Sequence, residues 1–338
     1  RSQLPTVLHA VFDMLDLLGT SADSSEELEN FICDVKDAFF VLPNKPDERK
    51  FFCVLFRGHY YVSLKTTQGS RGAPLTWART SALLTRLIMA VLGSNKARIN
   101  TYVDDPLTSA MATKPVRDKW FAMFLLILGA LKVPLSLAKA SRGSSITWTS
   151  GHFVPSPSGV TVKVKETITQ DVLNSVTDML AGNVIQLKDL HSLVGKCVHI
   201  SSLVEHVRPF ISELRAPLYA KTQASKAPKN CVWTKQIRVP LCWMKALLSE
   251  TAGKLERRYL LSVHQGRGTM VEINLDASPW GLGGYLLENG SLVSWFACPV
   301  HEEEAVALDF TIGSHTCQQV VEALAALVAL RAWHLRWR

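Results

Sequence analysis

Tyr102-Val103-Asp104-Asp105 puts two adjacent carboxylates at the end of an apolar, strand-like run over residues 99–103. Adjacent carboxylates repel, and burying them without a counter-charge is costly. The chemistry that calls for such a pair is cation binding. Mg²⁺, which binds through one or two carboxylates together with substrate phosphates, suits it. The competing reading is an ordinary solvated turn, because Asp-Asp before Pro106 is also turn chemistry. A third acid, Asp34, closes the apolar run Phe31-Ile32-Cys33 and opens Asp34-Val35-Lys36-Asp37-Ala38-Phe39-Phe40. Gln68-Gly69-Ser70-Arg71-Gly72-Ala73-Pro74 is a Gly-rich loop before a long apolar helix. Far downstream, Asp276 precedes a Gly-rich turn and Glu322 sits early in a second long helix.

The elements that must position these residues follow from periodicity and punctuation. Helical spacing covers 6–18, then a polar loop over 19–29 and a buried strand over 31–33. Residues 51–56 and 60–64 pair as a hairpin turning at Arg57-Gly58-His59. A helix over 76–92 ends at Gly93. The strand bearing the Asp pair, a helix over 115–131 and a short strand over 146–148 come next. Pro155-Ser156-Pro157-Ser158-Gly159 is a turn or a boundary. Helices are predicted over 169–181, 187–201, 204–219 and 241–250, with a polar, Lys-rich linker over 222–230. From Met270 the pattern changes to strands 271–275, 284–288 and 292–296 and a helix over 318–337. Glu302-Glu303-Glu304 is expected to be a solvated loop.

The chain has 338 residues, 47% hydrophobic and 20% charged, enough for two or three domains. Its longest uninterrupted apolar run, residues 120–131, is short of the ~20 residues that span a bilayer, so no membrane partner is expected. No signal peptide is visible, and residue 1 is not Met, which suggests a fragment or processed piece. Seven cysteines without a Cys-x-x-Cys pair indicate buried thiols in a reducing, intracellular compartment, cytoplasmic or nuclear. The net charge of +8 is concentrated in residues 182–270, with 14 Lys/Arg against 5 Asp/Glu. That section suits a polyanion such as nucleic acid, or is simply a solvated basic surface. Lys188 and Lys196 could track a phosphate backbone, with affinity that depends on salt more than on sequence. Trp233 and Trp243 could stack on bases or pack in the core.

In order, the Asp34 strand, the Gly-rich loop with its helix and the Asp104–Asp105 hairpin resemble the palm of retroelement reverse transcriptases, of the long-terminal-repeat or tyrosine-recombinase (DIRS-like) type. The resemblance covers residues 31 to about 154. It implies an RNA-directed DNA polymerase acting on a primed RNA or DNA template and dNTPs, with two Mg²⁺ ions (or Mn²⁺) per site. It makes Asp34 and Asp104 the principal metal ligands, with Asp105 beside them, and Lys139 a donor to pyrophosphate. Asp37 and Ala38 would face the triphosphate, and Phe39 would be the gate against a ribose 2′-OH, or else a core aromatic. Gln68, Gly69, Arg71 and Tyr102 would contact nucleotide or template, and Ile146-Thr147-Trp148-Thr149-Ser150-Gly151 resembles the hairpin that grips the primer. The family carries basic finger residues upstream; only Arg1 is basic before Asp34, so the fingers are expected to be partial.

Asp276 and Glu322 resemble the first two acids of a ribonuclease H domain, whose later acids would fall beyond the last helix. That unit is expected to be truncated and inactive as a nuclease. The implied fold is α+β: fingers and palm with an antiparallel sheet over 1–158, a basic helical thumb and connection over 159–265, and a partial ribonuclease H-like α/β domain over 266–338. The alternative is a catalytically dead, nucleic-acid-binding retroelement relic. Oligomeric state leaves no signal in the sequence.

Overall fold

The computed structural model describes residues 4–21, 23–219, 227–251 and 253–337. Arg1 and residues 222–226 of the expected linker lie outside them. The fold is mixed α+β with antiparallel sheets, in two compact units, Arg1–Gln265 and Gly266–Arg338.

The first unit opens with α1 (Val7–Gly19), which buries Val11, Met14 and Leu15 along one stripe. β1 (Glu27–Val35) begins earlier than expected. Glu29 falls within the expected polar loop, but its carboxylate is bonded to Arg117 and Arg142, at 2.8 Å each, so a charged residue is accommodated in the strand. β2 (Cys53–Phe56) and β3 (His59–Val62) form a hairpin whose turn, Arg57-Gly58, has positive φ at both residues. α2 (Ala73–Leu92) starts three residues early because Pro74 is accepted in a first helical turn, where its missing N–H costs nothing. Gly93, at φ 58°, stops it. By length and composition α2 could cross a membrane, counter to the expectation that no segment is long and apolar enough. It packs through Trp77, Ile88 and Leu92 into a core with Phe31, Cys33 and Val35 of β1.

β4 (Ala97–Tyr102), β5 (Asp105–Ala112), α3 (Lys114–Ala130) and β6 (Leu135–Gly143) complete a four-stranded sheet in the order β4-β5-β1-β6. Strand alternation divides its residues between two cores. Phe31, Cys33 and Val35 join the core with α2 and α3, whereas Leu28, Leu107 and Met111 join the core with α1. Asp34 shares the parity of Leu28, on the face away from α2 and α3.

β7 (Ile146–Trp148), β8 (Gly151–Ser156) and β9 (Gly159–Val164) lead into α4 (Glu166–Ala181), β10 (Val184–Gln186), α5 (Leu187–Ser201), α6 (Arg208–Tyr219), β11 (Cys231–Trp233) and α7 (Arg238–Leu248). β12 (Glu256–Leu260) then returns to β9 in the order β12-β9-β8-β7, and α8 (Leu261–His264) closes the unit. The Pro-Ser-Pro-Ser-Gly run is therefore the tip of the β8–β9 hairpin, inside one unit with a shared core. The helix expected from residue 204 begins at Arg208, after a 3-10 turn at Glu205–Val207. Pro209 takes a first-turn position there, where its missing N–H costs nothing, although Pro217 sits inside the same helix.

In the second unit β13 (Val271–Ser278), β14 (Gly281–Glu288) and β15 (Ser291–Pro299) form an antiparallel meander. The glutamate run forms α9 (Glu302–Ala307) instead of a loop. Its acids face the positive end of the helix, and Glu304 accepts the His301 N–H at 2.9 Å. α10 (Gln318–Ala332) ends five residues early and continues as a 3-10 turn, His334–Trp337. Val321 and Ala325 of α10 pack on Ala277 and Leu282.

Candidate active site

The β4–β5 register pairs Tyr102 with Asp105, leaving Val103-Asp104 as a two-residue turn. Asp104 thus sits in the turn, not on the strand, and Asp105 begins β5. Val103 has φ 54°, a left-handed conformation that is strained for a β-branched residue. The turn is tied to β1 by the Val35 N–H, which donates to the Asp104 carbonyl at 2.9 Å. The Trp77 indole donates to the Val103 carbonyl at 2.6 Å, and the Trp148 indole to the Asp105 carbonyl at 3.0 Å.

This framework brings Asp34, Asp104 and Asp105 together, with one carboxylate oxygen from each within 4.8 Å of the others. All three are half-buried. Burial is the main influence raising the Asp104 carboxyl above its ordinary range, with the Asp34 charge adding to it. Burial also raises Asp105, helped by the charges of Asp104 and Asp34. The Cys33 thiol, behind the acids, is pushed up to about 12 by burial and then by Asp105 and Asp34. Lys139 on β6 supplies the compensating charge: its Nζ donates to Asp34 Oδ2 at 2.7 Å. That bond, with the acids' charges, raises the Lys139 ammonium above its usual value.

A cleft of about 550 Å³ opens on this group, lined among others by Asp34, Asp37, Ala38, Phe39, Gln68, Asp104 and Lys139. Asp37 adopts a left-handed conformation (φ 52°) and starts the 3-10 turn Ala38–Val41. Phe39 lines the cleft while packing partly against the α2–α3 core. Gly69, at φ 86°, and Arg71 are exposed on the loop before α2 and do not line this cleft. Tyr102 stands edge-on to Trp148 at 6.4 Å, at the β7–β8 hairpin. Sequence order singles out the acids, Lys139, Phe39 and Gln68, which the structure brings to one place. It missed Trp77 as a partner of the turn, since an indole in a helical apolar pattern signals burial but not its acceptor.

Asp276 and Glu322 are both exposed in the second unit. Gln318 Nε2 donates to the Ala277 carbonyl at 2.7 Å and to Glu322 Oε1 at 3.1 Å, linking Glu322 to the residue after Asp276. Among the described residues no third metal-ligating side chain joins them. In the basic section Lys188 is exposed on α5, Lys196 lies 3.7 Å from Asp171, and Trp243 stacks on Phe210 at 5.5 Å.

No family model matches the chain, and no curated protein does. Solved structures do. A foamy viral protease-reverse transcriptase dRH in complex with ds DNA aligns with a TM-score of 0.50 at 18% identity, over 90% of this chain and 48% of that one. Foamy viral protease-reverse transcriptase in complex with dsDNA aligns at 0.48 and 18%, over 98% and 61%. The same kind of protein with an RNA/DNA hybrid aligns at 0.45 and 15%, over 94% and 38%. The first of these alignments shows a reverse-transcriptase-like fold, and the chain spans about half the length of that neighbour.

Proposed function

We propose that this chain is the polymerase portion of a retroelement reverse transcriptase, adding deoxynucleotides to a primer 3′-hydroxyl on an RNA or DNA template. The observation that carries this reading is the convergence of Asp34, Asp104 and Asp105 within 4.8 Å beside a cleft lined by Lys139, Phe39 and Gln68. The donor set fits hard divalent cations. It offers only carboxylate oxygens, and burial and mutual repulsion already push Asp104 and Asp105 toward protonation. Asp34 and Asp104 would hold two Mg²⁺ ions, or Mn²⁺, with Asp105 beside them. Bound there, such ions would supply electrostatic stabilisation of the charge that develops in an in-line displacement.

The remaining steps belong to side chains of this protein. The primer 3′-hydroxyl gives up its proton to solvent and its oxygen bonds the α-phosphorus of the dNTP as the bond to pyrophosphate breaks. Lys139, kept protonated by Asp34, gives its proton to the departing pyrophosphate. Phe39 occupies the space a ribose 2′-hydroxyl would need, and Gln68 meets the nucleotide at the cleft wall. Arg71 and Gly69, outside that wall, contact the template. The nucleic-acid partner is supported by the duplex bound in the similar structure and by the basic section over 182–270. No strand cleavage is assigned to the second unit, where two acids stand without a third among the described residues. Extension of a DNA primer on an RNA template with Mg²⁺ and dNTPs tests the proposal.

A further inference from the structure

Three consecutive carbonyls, those of Val103, Asp104 and Asp105, are each held by a donor from a different element. Trp77 Nε1 comes from α2, the Val35 N–H from β1 and Trp148 Nε1 from β7. Both tryptophans are among the most buried side chains, at 1% and 2% exposure. Trp77 is rooted in the core with α2 and α3, and Trp148 in the core with α1, so each of the two cores places one donor on the turn. An indole N–H can only donate, and a buried one needs an acceptor. Each indole has been given a main-chain carbonyl flanking Asp104.

The same turn holds Val103 at φ 54°. Such a conformation persists only where the surroundings over-determine it. Asp104 in the turn and Asp105 beside it are partly buried like charges, which favours a chain that relaxes and separates them. Resting on the polymerase reading above, we propose that Trp77 and Trp148 are positioning residues. Their N–H groups lock the main chain on both sides of Asp104 and hold Asp104 and Asp105 in a cation-ready arrangement. Both indoles are buried and direct their N–H groups to main-chain carbonyls. Their effect passes through the two carbonyls, and it differs from core packing because it depends on the N–H and not on the ring.

The test keeps the ring and removes the donor. Site-specific β-(3-benzothienyl)alanine at position 77 and at position 148 preserves shape and area, and Trp77→Phe and Trp148→Phe serve as simpler variants. Three quantities are measured: Mn²⁺ affinity of the free protein by electron paramagnetic resonance, single-turnover extension with dNTP titration, and Tm. Loss of groups that orient metal ligands typically costs about 10–100-fold in metal affinity or activity. The expected result is an Mn²⁺ affinity and a maximal extension rate each lowered at least about tenfold. The dNTP Kd should stay within about threefold and the fold should remain intact, as a positioning role requires. Folded benzothienylalanine variants with wild-type Mn²⁺ affinity and rate would overturn the clamp alone. An unmodified protein that binds no Mn²⁺ through Asp104 and extends no primer would instead overturn the polymerase reading, and the clamp with it.

Discussion

Lys139 Nζ lies 2.7 Å from Asp34 Oδ2, joining β6 to the end of β1 at the centre of the acidic group. The bond raises the lysine's affinity for its proton, and Asp105 and Asp104 add to this. A protonated ammonium beside the cleft is suited to a leaving pyrophosphate. General acid catalysis is worth about 10²–10⁴-fold. Lys139→Met is expected to slow single-turnover incorporation by at least about 10²-fold while dNTP affinity changes by less than about fivefold. Lys139→Arg should recover little, since a guanidinium gives up its proton far less readily. An unchanged rate in Lys139→Met would remove this residue from the chemistry.

The raised carboxyls of Asp104 and Asp105 predict a pH signature. A carboxyl whose pKa is higher folded than unfolded binds more protons in the folded state. Stability of the ion-free protein therefore falls as pH rises from the unfolded value, about 3.9, through the folded one. Asp105→Asn should raise Tm near pH 7 by about 2–4 °C, and the gain should vanish below the unfolded value. Mg²⁺ affinity should rise with pH across the same window, because the ion requires the ionised acids. Thermal melts from pH 4 to 8, with and without Mg²⁺, read both effects. A destabilised Asp105→Asn would contradict the burial and repulsion assigned to this residue.

Phe39 both lines the cleft and leans on the core with α2 and α3, so its ring is held in place. If it is the barrier to a 2′-hydroxyl, Phe39→Ala should raise the efficiency of ribonucleotide relative to deoxyribonucleotide incorporation by at least about tenfold. Selectivity unchanged in a folded variant would leave Phe39 as a core aromatic.

Asp276→Asn and Glu322→Gln should leave primer extension within about twofold of the parent, since both acids belong to the separate second unit. Extension lost in either variant would place that unit in the polymerase reaction.

Much of the site was legible because its chemistry is written in short segments. Asp34 at the end of an apolar run, Gln68 at a Gly-rich loop and the adjacent pair Asp104-Asp105 are marked by residue type and order alone. What escaped was long-range or conformational. Nothing in the residues near Val103 announces a left-handed φ, which β-branching disfavours. Trp77 lies 26 residues from its acceptor and Trp148 lies 43. Glu29 belongs to a strand because Arg117, 88 positions later, bonds its carboxylate. The Pro-Ser-Pro-Ser-Gly run has the composition of a boundary and of a hairpin tip alike, and only the return of β12 to β9 distinguishes them.

The central claim is that Asp34, Asp104 and Asp105 form a nucleotidyl-transfer site. Its most direct test is extension of a DNA primer on an RNA template with Mg²⁺ and dNTPs, comparing the parent with Asp104→Asn. The account predicts extension by the parent and its loss, by at least about 10³-fold, in a folded Asp104→Asn that still binds primed template. Extension that survives Asp104→Asn would contradict the site. A parent that binds the duplex and extends nothing would instead establish a nucleic-acid-binding relic.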